Sequence, residues 1–133
     1  MKSETAAFLA KAEELIARAP LLLAQDFTDE AGRAAYLAGF HAAQALLFER
    51  HGRSPKTHDG VQGQFARLVK DEPSIDAPLR AFLGRTYNLK AIADYETGPG
   101  SKVTAAQATE AIALARRFVA TIIALLSSSE HKG

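Results

Sequence analysis

Apolar residues recur at helical spacing along nearly the whole chain. Phe8, Ala12, Leu15, Ala19 and Leu22 alternate four- and three-residue steps, with Leu9, Ile16 and Leu23 beside them, so residues 3–25 predict an amphipathic helix with one buried face. Pro20 removes a hydrogen bond inside it, which predicts a kink or break near Arg18. After residues 26–29, Tyr36, Phe40, Ala43 and Leu47 carry the same rhythm to Arg50, and Gly52 ends that second helix. A shorter third helix turns Val61, Phe65 and Leu68 inward and ends near Asp71. Its start is open, because Ser54 before Pro55 reads as a cap and so does Thr57 before His58. A fourth, residues 77–96, uses Leu79, Phe82 or Leu83, Thr86, Leu89 and Ala93. The fifth opens on Thr104-Ala105-Ala106-Gln107, a capping-box pattern, and keeps Ala108, Ile112, Ala115, Val119, Ile122 and Leu126 on one stripe. The sum is all-α: a single up-and-down antiparallel bundle of four to five helices over residues 1–127, followed by a disordered tail, residues 128–133.

Composition agrees with that pattern. The chain has 133 residues, 47% of them apolar, and alanine and leucine alone supply 42, which favours helix over strand and leaves room for one domain. Absence of cysteine excludes disulfide scaffolds and thiolate zinc sites and suits a reducing cytoplasm. A net charge of +1 gives no whole-molecule field for a polyanion, so nucleic-acid binding requires a local patch. No signal-peptide pattern opens the chain, and the most apolar run, residues 118–126, is shorter than the ~20 residues a bilayer span needs, so a cytoplasmic protein with no membrane partner is expected.

Several chemistries lack their residues. Di-iron bundles need Glu-x-x-His pairs, and here Glu49 and His51 are two apart. Gly98-Pro99-Gly100 lacks the lysine-serine ending of a phosphate loop and reads as a flexible connection, and no serine sits in a Gly-x-Ser-x-Gly elbow. His51, His58 and Asp59 have no fourth ligand nearby, so neither a metal nor another cofactor is expected. From Arg50 to His58, by contrast, the chain carries Arg50, Arg53 and Lys56 with no acid, at the start of a helix whose amino end favours anions. A histidine there can exchange protons near neutral pH, and an arginine offers a planar fork to a phosphate. His51 reads as a solvated helix-end residue, and His41, on a face with Leu37 and Phe48, as a core histidine.

Three stretches carry a resemblance. Arg53-Ser54-Pro55-Lys56-Thr57-His58 fits Arg-x4-His, with Ser-Pro-Lys-Thr-His inside it. It follows Ala34-Ala35-Tyr36-Leu37-Ala38-Gly39-Phe40-His41-Ala42-Ala43 and precedes Lys90 with Asp94-Tyr95. In this order, over residues 29–126, the chain resembles the HEPN superfamily (higher eukaryotes and prokaryotes nucleotide-binding domain), and within it a bacterial and archaeal toxin-like branch. The resemblance implies a helical bundle, frequent dimers, pairing with a small nucleotidyltransferase antitoxin, and metal-independent RNA cleavage in active members. Carried onto this sequence, it makes Arg53 and His58 the catalytic pair and Arg50 and Lys56 phosphate contacts, with His41, Lys90, Asp94 and Tyr95 supporting the site. The expected function is a toxin-type RNA endonuclease. The alternative is a non-catalytic module that docks a nucleotidyltransferase or holds a nucleotide. Some such toxins carry a tyrosine two positions after the motif histidine, where this chain has Gly60, so control by modification there is not expected. Cleavage uses a base and an acid while each chain offers one histidine in the motif, so a homodimer is expected, with Gly60 and Gly63 leaving room for a close backbone or RNA.

Overall fold

Local sequence sets most of the helix ends. The computed structural model describes residues 1–95, 97 and 102–132, residues 129–132 by backbone alone; the loop at Gly98-Pro99-Gly100 and the expected fourth-helix end at Glu96 lie outside the described residues. Five helices follow one another: α1 (Ser3–Ala24), α2 (Thr28–His51), α3 (His58–Leu68), α4 (Ala77–Tyr95) and α5 (Ala105–Lys132). Thr57, not Ser54, caps α3, its Oγ1 accepting from the Gly60 amide at 3.0 Å. The capping box of α5 closes in both directions, with the Gln107 amide donating to Thr104 Oγ1 at 3.0 Å and the Thr104 amide to Gln107 Oε1 at 2.9 Å. Gly52 ends α2 at φ 75°, its N–H on Phe48 O at 2.8 Å.

Three boundaries depart from expectation. α1 runs through Pro20 without a break. The proline sits in the last turns, where buried Ala19 and half-buried Leu22 and Leu23 hold the helix on the bundle, so packing outweighs one missing hydrogen bond. α3 stops at Leu68, and the Arg80 guanidinium collects the carbonyls that follow, Val69 O and Glu72 O, each at 2.8 Å. α5 continues past Ser127 to Lys132, since no glycine or proline interrupts it before Gly133.

The four long helices run up and down. Lys2 at the head of α1 bonds Glu49 at the foot of α2, Arg33 near the start of α2 bonds Asp94 at the end of α4, and Asp29 accepts from the Val103 amide just before α5. α1 and α4 are therefore antiparallel to α2, and α5 is parallel to it. α2 is the centre, packed by all four other helices. Its six residues from Ala42 to Leu47 are all buried, which a single apolar stripe does not predict. Alanines and glycines make this crowding feasible, and at Gly39 a Cβ would lie 2.1 Å from the Phe82 ring. Phe82 in turn stacks on Phe118, with centroids 5.0 Å apart.

The stretch Ala105–Ser128 of α5 contains an 18-residue window with a mean hydropathy of 1.6 and is long and apolar enough to cross a membrane by composition. In the fold its stripe faces α1, α2 and α4, and exposed Arg116 and Arg117 interrupt its outer side. That is the pattern of an amphipathic helix packed by one face, with 39% of the window buried.

Candidate functional site

The start of α3 brings His58 against α2 and α4. Thr57 fixes the first turn, and Gly60 lets the preceding loop fold back onto it, since a Cβ there would lie 2.8 Å from both Pro55 Cβ and Thr57 Oγ1. The chain's own loop therefore fills the space expected for a partner or RNA at Gly60, whereas nothing lies within 4 Å of a Cβ at Gly63. From below, buried Gln44 on α2 donates its amide to the Pro55 carbonyl at 3.0 Å and receives the His41 ring at 2.8 Å on its Oε1. Since Oε1 only accepts, His41 carries its proton on Nδ1. His41 is half-buried against Phe8 and Phe40, and burial pushes it below its ordinary 6.5, to the neutral form. It thus supports the loop from beneath and does not face His58.

His58 itself is held by two tyrosines. Tyr36 Oη lies 2.7 Å from its Nδ1, and the Tyr87 ring stacks on the imidazole with centroids 3.9 Å apart and planes at 14°. Tyr36 is buried, and burial, with help from Tyr87 and Asp59, raises its pKa well beyond the ordinary tyrosine range, so it stays a hydroxyl. A hydroxyl donates to a bare Nδ1 and accepts from a protonated one, so the pair keeps its bond whichever proton the ring carries. Nε2 has no protein partner among the described residues.

The aromatic contact extends along α4. Lys90 Nζ sits 5.9 Å from the ring centroid of Tyr87 and 5.1 Å from that of Tyr95, a residue that is 72% exposed. Asp94 pins Lys90 at 2.7 Å and Arg33 at 2.8 Å, an arrangement that lowers Asp94 and raises Lys90 from their ordinary values. Lys90, Asp94 and Tyr95 thus belong to one cluster with His58. Tyr87 and Arg33 complete it. Sequence reading passed over Tyr87, although its place three residues before Lys90 puts both on one helical face.

The structure does not bring the cations of the loop to His58. Among the described residues no hydrogen bond, ion pair or ring contact joins Arg53 or Lys56 to it; Lys56 is exposed, and Arg53 lines a groove with His51, Gln64, Arg67 and Leu68. Arg50 lines a neighbouring depression that shares Arg67 and Leu68. No three histidine, aspartate or glutamate side chains among the described residues come together as a metal site.

The HEPN domain family matches residues 5–126. The chain is 33% identical over 119 residues, 90% of its length and 86% of the relative's, to the protein named "Putative toxin MJ0605" of Methanocaldococcus jannaschii. An all-α bundle with the match spanning α1 to α5 therefore places this chain in the HEPN domain family.

Proposed function

We propose that this chain is a toxin-type HEPN protein that cleaves RNA without a metal, with His58 as its proton-transfer residue. One observation carries the reading: the imidazole is clamped by Tyr36 and Tyr87 with Nε2 left open. In the reaction a 2′-hydroxyl loses its proton to a ring nitrogen, its oxygen attacks the adjacent phosphorus, and the P–O5′ bond breaks as an acid protonates the leaving oxygen. The products are a 2′,3′-cyclic phosphate and a 5′-hydroxyl. Tyr36 and Tyr87 act as positioning residues. The name of the archaeal relative supports the toxin reading, and a small nucleotidyltransferase is the proposed antitoxin.

Each chain contributes one imidazole, and no contact joins Arg53 to it among the described residues, so the complete site is assigned to a homodimer in which a second copy of His58 supplies the other proton carrier. The same lack of contact favours one other reading, a binding module that docks the nucleotidyltransferase and needs no Arg53 at His58.

Incubating the purified protein with a mixed RNA pool and EDTA decides between them. Cyclic phosphate ends should form with wild type and not with His58→Ala, whose fold should persist because this half-buried residue adds little to the core. A variant that cuts as fast as wild type would remove His58 from the chemistry, and a wild type that cuts nothing would leave the binding module.

A further inference from the structure

Around α3, each residue turns about 100°. His58 and Gln62 therefore share one flank, and it faces α4: His58 stacks on Tyr87, and Gln62 Nε2 reaches Gly84. Arg67 lies half a turn away from His58, with Gln64 and Leu68 between it and the buried edge at Val61 and Phe65. On that far flank the loop after α2 approaches and encloses a groove of about 750 Å³, lined by His51, Arg53, Gln64, Arg67 and Leu68.

The lining contains no carboxylate. Four arginines elsewhere are tied down, Arg18 by Glu14, Arg33 by Asp94, Arg80 by two carbonyls and Arg117 by Asp76, while Arg85 and Arg116 have no such bond among the described residues but lie outside this groove. The guanidiniums of Arg53 and Arg67 have neither a hydrogen bond nor an ion pair among the described residues, and both open onto the groove. The adjoining depression shares Arg67 and adds Arg50, but Asp71 and Glu72 in its wall offset that charge, which leaves the Arg53 end the more favourable for a polyanion.

We propose that this groove is a second nucleic-acid site, which holds backbone phosphates of the RNA strand flanking the bond cut at His58. Two forked guanidiniums fit phosphate oxygens in bidentate fashion, the Gln64 amide adds a donor and an acceptor, and Leu68 lies under the sugar edge. The loop links the two sites: Arg53 and His58 are five residues apart, so their Cα atoms are separated by at most about 18 Å, a span that a few nucleotides cover. A phosphodiester strand can serve both ends of that loop, which is why RNA is favoured over an acidic protein segment. Arg53 then has a binding role on its own chain that is independent of His58 chemistry. The proposal rests on the ribonuclease reading for its ligand, and its test is separate.

The probe is a short fluorescein-labelled 2′-O-methyl oligoribonucleotide, which cannot undergo 2′-hydroxyl attack, followed by fluorescence anisotropy across a salt series. Arg53→Ala and Arg67→Ala should each weaken binding by roughly three- to tenfold at low salt and reduce the salt slope by about one, with unchanged thermal unfolding. His58→Ala should bind within about twofold of wild type. Wild-type affinity and slope in Arg67→Ala overturn the proposal, as does a wild type that fails to bind the probe. An Arg67→Ala protein that holds the oligonucleotide but loses a co-purifying partner makes the groove a protein dock and also overturns it. Cleavage of unmodified RNA by wild type against His58→Ala judges the ribonuclease reading independently, so either idea can fail alone.

Discussion

Two tyrosines hold one imidazole in different ways, and the difference is measurable. Tyr36→Phe keeps the ring and removes the 2.7 Å bond to Nδ1, so the imidazole keeps its stacking on Tyr87 and loses its anchor at that nitrogen. RNA cleavage should fall about tenfold in kcat with little change in KM, and stability by about 1 kcal/mol. Tyr87→Phe should keep the stacked geometry and nearly full activity, whereas Tyr87→Ala should release the ring and lower kcat further. Equal rates in Tyr87→Ala and wild type would show that stacking does not position His58. His41 offers a pH test of the support beneath the loop. Its folded pKa lies below 6.5 because burial disfavours the imidazolium, so the unfolded chain binds the proton more readily. Stability from this residue is full above about pH 6.5 and declines as pH falls below it. His41→Asn, which retains a donor for Gln44, should flatten that decline in urea unfolding curves measured between about pH 5 and 7. Parallel curves for the two proteins would assign the acid sensitivity to other groups.

At the scale of elements, crowding around α2 governs which substitutions the fold accepts. A Cβ on Gly39 meets the Phe82 ring, which is fully buried and stacked on Phe118 and so has nowhere to move. Gly39→Ala should destabilise by about 1–3 kcal/mol. Gly63 is an exposed position inside α3 with open space around it, and Gly63→Ala should stabilise by about 0.5–1 kcal/mol through helix propensity. Thermal unfolding of both variants checks the pair. The turn from α1 into α2 offers a third case. Asp26 takes φ 63°, with Phe27 N–H on Leu22 O at 2.9 Å and Asp26 N–H on Leu23 O at 2.9 Å, the 6→1 and 5→2 bonds of a Schellman cap that usually holds glycine.

For the whole molecule, the proposed dimer is the decisive level. If two copies of His58 share one cleft, a mixed dimer of wild type and His58→Ala lacks one proton carrier, so an excess of His58→Ala should lower the cleavage rate of the wild-type chains. A site complete within each chain gives no such loss. Light scattering at assay concentration should show a dimer, and an active monomer would end the composite-site account.

The helical periodicity and the caps were legible because they depend on neighbours three and four residues away. Thr104 with Gln107 closes as a capping box, Gly52 takes the left-handed cap, and the stripe from Ala108 to Leu126 is buried throughout. Local spacing also marked Arg53, Lys56 and His58 as an acid-free cationic loop, while the ion pair of Lys90 with Asp94 came only with the structure. Tertiary structure decided what lies between distant segments. It made α2 the surrounded centre, carried α1 through Pro20, and placed Tyr36 and Tyr87, 51 residues apart, on the two sides of His58. It also set Arg53 and Arg67, on a loop and a helix, along one groove. The physical reason is the same in each case. Spacing along one helix sets which residues share a face, while helix crossings and the course of a loop set which faces meet, and those follow from the packing of the whole core.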